Sequence, residues 1–126
     1  MKNFIISLAL ITACISVILT DMVLVRSAAA SMRQTVAALP TDFSQSEAAD
    51  TAQAAQNAAD QFKRLKYNFY ISQHYSEIER LETEYAAMAR YAGAGEQALY
   101  SASRERILIY LQSVESNVRI TWDNII

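Results

Sequence analysis

The most prominent feature of the hydrophobic pattern is an apolar run at the N-terminus. The segment from Phe4 to Thr20 carries no charge, and the apolar character resumes after Asp21. A helix from Phe4 to Val25 would be about 33 Å long at 1.5 Å per residue, enough to cross a hydrocarbon core of about 30 Å. The pattern therefore predicts a single membrane-spanning helix near one end of the chain.

Two other interpretations of this run compete with an uncleaved anchor. Ala28 to Ala30 offer small residues for a signal-peptide cleavage site, although Asp21 and Arg26 separate them from the apolar run. Ile11 to Cys14 resemble a lipobox, although apolar residues follow the cysteine where a polar tether is usual. We favour residues 1–26 as an anchor and residues 27–126 as one folded domain.

Beyond the anchor, the apolar positions keep a helical period and predict further helices. The anchor helix should continue to Pro40, because alternating steps of three and four lead from Ile11 to Leu39. Thr41 and Asp42 can cap a second helix, which the Ala-rich stretch extends to about Ser72. A change of register predicts a kink or short break between Ser72 and Ser76.

Two more helices and a tail complete the predicted architecture. Gly93 to Gly95 should end the third helix, since glycine readily adopts the left-handed conformation there. A fourth helix is predicted from about Glu96 to Ser116. The alternation of Val118, Ile120 and Trp122 with polar residues then predicts an extended tail packed on the helices. The fold class expected is an all-α bundle or hairpin that continues from the anchor and ends in that tail.

Composition and charge agree with this architecture and exclude one class of partner. Of 126 residues 52% are hydrophobic, and two Gly and one Pro are the only strong helix breakers. The 11 basic and 13 acidic residues nearly cancel, whereas nucleic-acid binders usually carry a basic stripe. We therefore expect no nucleic acid among the partners.

The layout resembles the bacterial family called domain of unknown function 4363. The resemblance spans nearly the whole chain, and the residues that carry it are Asp42, Phe43, Phe62, Phe69, His74, Ser76, Glu77, Ile78, Leu81 and the terminal Asn124, Ile125 and Ile126. It implies a single-pass membrane protein of Gram-positive bacteria, often encoded beside a multi-pass membrane protein. No activity is assigned to the family, so the resemblance implies architecture alone.

The residue types that usually carry catalysis or metals do not form a set. His74 is the only histidine and lies on an apolar stripe, so we expect a structural role, with a ligand or pH-sensing role as the alternative. The carboxylates between Glu77 and Glu84 scatter around the third helix, where Arg80 can pair with Glu77 and Glu84. We expect no catalytic residue, no metal and no cofactor. Trp122 is expected to be structural, as part of the packed tail.

Tyrosines and one basic cluster are the candidate partner-binding residues. The chain has seven tyrosines, and tyrosine is enriched at protein interfaces. The surface expected to bind a partner combines Tyr91 and Tyr100, flanking the glycine turn, with Lys63, Arg64 and Lys66. Packing of the tyrosines in the core, and solvation of the basic cluster or contact with anionic headgroups, are the alternatives.

The function predicted from these patterns is that of a non-enzymatic, single-pass module for another membrane protein. Lys2 on the short N-terminal flank favours the cytoplasm for that end, so the domain should lie outside the cytoplasm at the cell membrane. The alternatives are an extracytoplasmic small-ligand or pH sensor and a secreted helical protein with a cleaved signal. Homo-oligomerisation stays open.

Overall fold

A computed structural model of the chain describes the backbone of residues 1–69 and 75–125, and their side chains up to Ser116. This part contains four α-helices and no β-strand. The helices are α1 Lys2–Ala37, α2 Ala48–Leu65, α3 Tyr75–Gly93 and α4 Gln97–Ile125. The predicted all-α class is therefore confirmed.

The first helix, α1, is unbroken but has two unlike halves. The large apolar side chains between Phe4 and Ile18 are exposed. From Val25 onward one face of the same helix is buried in the bundle, through Val25, Ala28, Ala29, Met32 and Val36. The prediction that this helix continues past the apolar run and stops near Pro40 is confirmed, because α1 ends at Ala37.

The second helix begins and ends differently from the sequence prediction. A 3-10 turn, Gln45–Glu47, precedes α2, and no side chain caps its first residues, so the capping role predicted for Thr41 and Asp42 is wrong. At the other end, α2 gives way at Leu65 to a second 3-10 helix, Lys66–Phe69, and does not reach Ser72. Most of the predicted break between Ser72 and Ser76 lies outside the described residues, and α3 is already helical from Tyr75.

The turn between α3 and α4 is a Schellman motif, as the glycines suggested. Gly95 has a φ of 73°, the left-handed value that favours glycine. The amide of Glu96 donates to the carbonyl of Tyr91 at 3.0 Å, and that of Gly95 to Ala92 at 3.2 Å. These two bonds satisfy carbonyls that the end of α3 would otherwise leave unpaired.

The predicted extended tail is wrong, because α4 continues without interruption to Ile125. Val118 and Trp122 belong to the alternating set, but with Ile125 they also recur at steps of four and three, so these residues fit a helical stripe as well. No Gly or Pro follows Gly95 to stop the helix. The packing expected for Ile120, Trp122 and Ile125 lies outside the described side chains.

The helices alternate in direction, and each packs on its neighbours: α2 on α3, α3 on α4, and α4 on α1. Large aromatic side chains fill the interior, with the ring of Phe62 stacked on Tyr85 at a centroid distance of 5.0 Å. The turns at Pro40 and Gly95 meet at one end of the bundle, called the Pro40 end below. The opposite end, where α2 passes into Lys66–Phe69, is called the Lys66 end.

Candidate interaction surfaces

At the Pro40 end, Tyr100 is part of the core and not of the surface. Its side chain is 0% exposed, and its ring packs edge-on against Phe43 at a centroid distance of 5.2 Å. Its hydroxyl donates to the carbonyl of Pro40 at 2.7 Å. Burial raises the pKa of Tyr100, with the Arg104 guanidinium as a smaller opposing influence. The prediction that Tyr100 is an exposed interface residue is therefore wrong.

Side chains of α4 also bind the backbone that links α1 to α2. The Arg104 guanidinium donates from Nη2 to the carbonyl of Ala37 at 2.9 Å, where α1 ends, and Gln97 donates to the carbonyl of Phe43. Arg104 is 8% exposed. Arg104 was not predicted from the sequence, although its place between Tyr100 and Ile107 on the inward stripe was a usable signal. These bonds hold the α1–α2 connection against α4.

Tyr91, the second predicted interface tyrosine, is half-buried on α3. It packs partly against the core, and the guanidinium of Arg90 lies 5.5 Å from the centroid of its ring. The pair therefore offers a potential partner a charged guanidinium next to an aromatic ring. Of the two predicted tyrosines, Tyr91 alone keeps a surface that a partner could contact.

The basic cluster lies toward the Lys66 end, away from Tyr91. Lys63 and Arg64 are exposed, whereas Lys66 is half-buried with its Nζ 3.3 Å from Oε2 of Glu82. Gly93, close to Tyr91, faces Ala52, which lies eleven residues before Lys63 on α2, about 16 Å along a helix. The structure therefore does not bring the predicted tyrosines and basic residues into one surface.

Two exposed tyrosines accompany the basic cluster. Tyr67 is 66% exposed and Tyr75 is 62% exposed, while the neighbouring Phe69 is 1% exposed and fixes the 3-10 helix to the core. In the sequence these two tyrosines were members of a set of seven, and nothing distinguished them. Their exposure became visible only in the packed structure, where Tyr67 lies on the 3-10 helix Lys66–Phe69 and Tyr75 at the start of α3.

Two carboxylates of α3, Glu82 and Glu84, form ion pairs with other helices. Oε1 of Glu84 lies 2.9 Å from Nε of Arg106 on α4, so the pairing predicted between Glu84 and Arg80 is replaced by an inter-helix pair. Beside it, a groove of about 170 Å³ runs between α3 and α4. Tyr110 lines this groove, and burial, followed by the charge of Glu77, raises the pKa of Tyr110 to about 12.

The structure tests neither the metal prediction nor the two predicted structural residues. Among the described residues, no group of three or more His, Cys, Asp or Glu side chains could hold a metal ion. His74 lies outside the described residues, and the side chain of Trp122 does as well. Their predicted structural roles stay predictions.

The exposed half of α1 is the remaining candidate surface. The 36-residue helix is long and apolar enough to cross a membrane, and only 6% of its most apolar window is buried inside the protein. Such a helix is compatible with a membrane anchor or a signal sequence. Because this apolar part of α1 is so little buried, it does not belong to the core of the bundle.

Comparison of the chain with protein-family models, with curated proteins and with solved structures finds no match. The resemblance to domain of unknown function 4363 therefore stays a prediction. The described part of the chain forms four α-helices, of which the first is long and carries an apolar, exposed N-terminal half.

Proposed function

We propose that this chain is a single-pass membrane protein whose helical bundle acts by binding another membrane protein and not by turning over a substrate. The observation that carries the proposal is the division of α1. Its first half exposes apolar side chains from Phe4 to Ile18, and its second half contributes Val25, Met32 and other residues to the core. One helix thus joins a lipid-compatible segment rigidly to the folded bundle.

The same division favours an anchor that stays attached. Cleavage after Ala28 to Ala30 would cut within α1, where Ala28 is 5% exposed and Ala29 is 0% exposed. The mature chain would then lack Val25, which is fully buried, and only about two turns of α1 would remain to pack on α4. Loss of that helix would open one side of the core, so retention of residues 1–26 is the arrangement that preserves the fold.

The placement of charge supports binding over catalysis. Arg33 pairs with Glu115 between α1 and α4 at 3.0 Å, and Arg106 pairs with Glu84 between α4 and α3 at 2.9 Å. Side chains engaged in this way stabilise the arrangement of the helices. The two pairs lie in different inter-helix contacts, so they do not act together on one substrate as a general acid and a general base would have to do.

We propose that the bundle lies outside the cytoplasm, with Lys2 on the inner side of the membrane and Arg26 and Arg33 on the outer side. Single cysteines at the exposed positions Gln56 and Gln112, in a Cys14→Ser background, should react with an impermeant thiol reagent in intact cells. Labelling only after lysis would reverse the orientation.

The anchor is tested by the fate of the N-terminus. The full chain should sediment with membranes, resist extraction at alkaline pH and show the intact mass, with residues 1–26 retained. A shortened chain in the soluble fraction would instead establish a cleaved signal and a secreted protein.

The partner is tested by capture of the tagged full chain from gently solubilised membranes. We expect one specific membrane protein, and Tyr91→Ala should reduce its recovery, because Tyr91 keeps an aromatic surface beside Arg90. Tyr100→Phe is the matched control, since it changes a buried hydroxyl at the same end of the bundle. Equal recovery with both variants would remove Tyr91 from the interface.

A small-ligand sensor is the second candidate, favoured by the groove between α3 and α4. Arg80, Arg106 and Glu77 line it, and the hydroxyl of Tyr110 is buried there with no hydrogen-bond partner among the described residues. Its volume of about 170 Å³ is below the range of roughly 300 to 1,000 Å³ usual for ligand pockets. Reproducible thermal stabilisation by a small molecule, lost in Tyr110→Phe, would favour the sensor.

A further inference from the structure

The Lys66 end of the bundle lies close to the point where α1 leaves its uncharged segment. The amide of Gln61 on α2 donates to Oγ of Ser31 on α1 at 3.2 Å, so these two residues lie at the same height along the bundle axis. From Gln61, α2 runs toward the N-terminal half of α1. The 3-10 helix Lys66–Phe69 follows α2 and packs against α1.

The distance covered by this segment determines how near the bundle comes to the bilayer. Eight residues separate Gln61 from Phe69, or about 13 Å at the rises of α and 3-10 helices, equal to roughly nine residues of α1. Phe69 is then level with about Met22, two residues beyond Thr20, where the uncharged segment ends. Burial agrees, since Met22 is half-buried and Val25 is fully buried.

The residues exposed at this level have the chemistry of a membrane interface. Lys63 and Arg64 are exposed, and so are Tyr67 at 66% and Tyr75 at 62%; these four residues are called the basic-aromatic patch. Tyrosine concentrates at the level of lipid headgroups because its ring is apolar and its hydroxyl is polar. Lysine and arginine can extend long side chains toward the phosphates.

Acidic residues also lie near the patch. Glu82 pairs with Lys66 at 3.3 Å, whereas Asp60 is exposed, accepts a hydrogen bond from the uncharged amide of Gln56 at 3.2 Å and lies one helical turn before Lys63 and Arg64. Glu79 is exposed one turn after Tyr75 on α3, and Asp21 is half-buried on α1. Lys63 and Arg64 outnumber Asp60 in the last turns of α2, so the Lys66 end of this helix keeps a net positive charge that complements an anionic bilayer.

We infer that the basic-aromatic patch docks on the surface of the membrane that α1 spans, with Lys63 and Arg64 on anionic lipid headgroups and Tyr67 and Tyr75 at the interface. The inference rests on the membrane anchoring proposed above. It gives the bundle one fixed orientation, with its Lys66 end against the bilayer and its Pro40 end away from it.

The experiment measures how close each end of the bundle lies to the lipid. The full chain, in a Cys14→Ser background, carries a bimane fluorophore on Ser76→Cys beside the patch or on Ala98→Cys at the Pro40 end; both positions are exposed. It is placed in nanodiscs of phosphatidylcholine, with or without phosphatidylglycerol, that contain a headgroup spin-labelled lipid as quencher. Bimane at residue 76 should be quenched, more strongly with phosphatidylglycerol, and bimane at residue 98 should not.

Charge removal tests the role of the bases. A basic residue near an anionic surface contributes roughly a fivefold preference, so Lys63→Gln and Arg64→Gln should each lower the docked-to-undocked ratio by that factor and the double variant by roughly 25-fold. Arg90→Gln, an exposed arginine at the Pro40 end, is the matched control and should leave the quenching unchanged.

Two failures are distinguishable. If the chain does not enter nanodiscs, or is recovered without its N-terminus, the anchor and the docking are both overturned. If it is anchored, yet quenching at residue 76 does not respond to phosphatidylglycerol or to Lys63→Gln, the docking alone is overturned. An acidic protein crosslinked to Lys63 in native membranes, without quenching in nanodiscs, would show that the patch binds protein instead.

Discussion

The two ends of the bundle are held by different forces. At the Pro40 end, polar side chains of α4 donate to backbone carbonyls: Tyr100 to Pro40 at 2.7 Å and Arg104 to Ala37 at 2.9 Å. At the Lys66 end, the fully buried ring of Phe69 holds the 3-10 helix Lys66–Phe69 on the core, and the side chains of Tyr67 and Tyr75 remain exposed. Directional bonds specify one geometry, whereas apolar packing tolerates varied neighbours, so the Lys66 end can present a surface while the Pro40 end fixes the fold.

The largest expected effect comes from removing the apolar contact of the Lys66 end. Phe69→Ala should lower the free energy of unfolding by about 3 to 5 kcal/mol, since it removes a fully buried ring and leaves a cavity. Thermal unfolding of the full chain in detergent, followed by circular dichroism, measures the loss. Tyr67→Ala is the control and should change little, because Tyr67 is 66% exposed. Equal losses of unfolding free energy in the two variants would contradict the assignment of Phe69 to the core and of Tyr67 to the surface.

A pair of glycines tests whether the Pro40 end depends on backbone geometry. Gly95→Ala should cost about 1 to 3 kcal/mol, because a left-handed φ of 73° strains any L residue and the new Cβ would lie 2.9 Å from the side chain of Gln45. Gly93→Ala is the control. Its Cβ would meet Ala52 at an ordinary 3.6 Å, so it should be neutral or slightly stabilising. Urea unfolding of both variants decides the question.

Alkaline pH should weaken the core between the two ends. Burial raises the pKa of Tyr85 above its ordinary value of 10.0, and that of Tyr110 to about 12. Below about pH 10 both the folded and the unfolded states keep these protons. Above it the unfolded state loses them first, so the free energy of unfolding falls by about 1.4 kcal/mol per pH unit for each such group until the folded pKa is passed.

Tyr85→Phe should make this fall less steep, because it removes one of the groups that ionise only on unfolding. Chemical unfolding midpoints measured from pH 9 to pH 11 provide the slope. An unchanged slope in the variant would mean that Tyr85 ionises in the folded state as readily as in the unfolded one.

The smallest expected effect is the difference in stability between removing the buried hydroxyl of Tyr100 and removing that of Tyr85. Tyr100→Phe should cost about 1 kcal/mol, because it removes a hydrogen bond to the carbonyl of Pro40. Tyr85→Phe at neutral pH should be neutral or stabilising, because the hydroxyl of Tyr85 is buried without a hydrogen-bond partner and its ring would stay stacked on Phe62. A larger loss for Tyr85→Phe than for Tyr100→Phe would reverse this assignment.

The same contrast explains which parts of the fold were predictable. The glycine turn after α3 and the continuation of α1 depend on local chemistry, and both predictions were confirmed. The start of α2 and the predicted extended tail were wrong. In the tail, alternating and helical spacings coincide for Val118 and Trp122, so periodicity alone could not choose between them.

The candidate surface was less predictable than the fold, because exposure is a property of three dimensions. Tyr91, Tyr100, Tyr67 and Tyr75 are alike in the sequence, yet Tyr100 is 0% exposed and Tyr67 is 66% exposed. The outcome depends on which helix packs over each ring. Neighbouring sequence does not contain that information, since the covering residues lie far away along the chain.

By itself the sequence determined the features that depend on local physics: an apolar helix of membrane length, helices where breakers are rare, and a turn where glycine is needed. The tertiary structure alone decided which tyrosines are core, that Arg104 binds the end of α1, and that the basic cluster lies apart from Tyr91, near the end of the apolar segment. The physical reason is that helical periodicity describes one helix at a time. The relative heights of the helices, the hydrogen bonds and ion pairs between them, and the exposure of each side chain arise only when helices distant in the chain pack together.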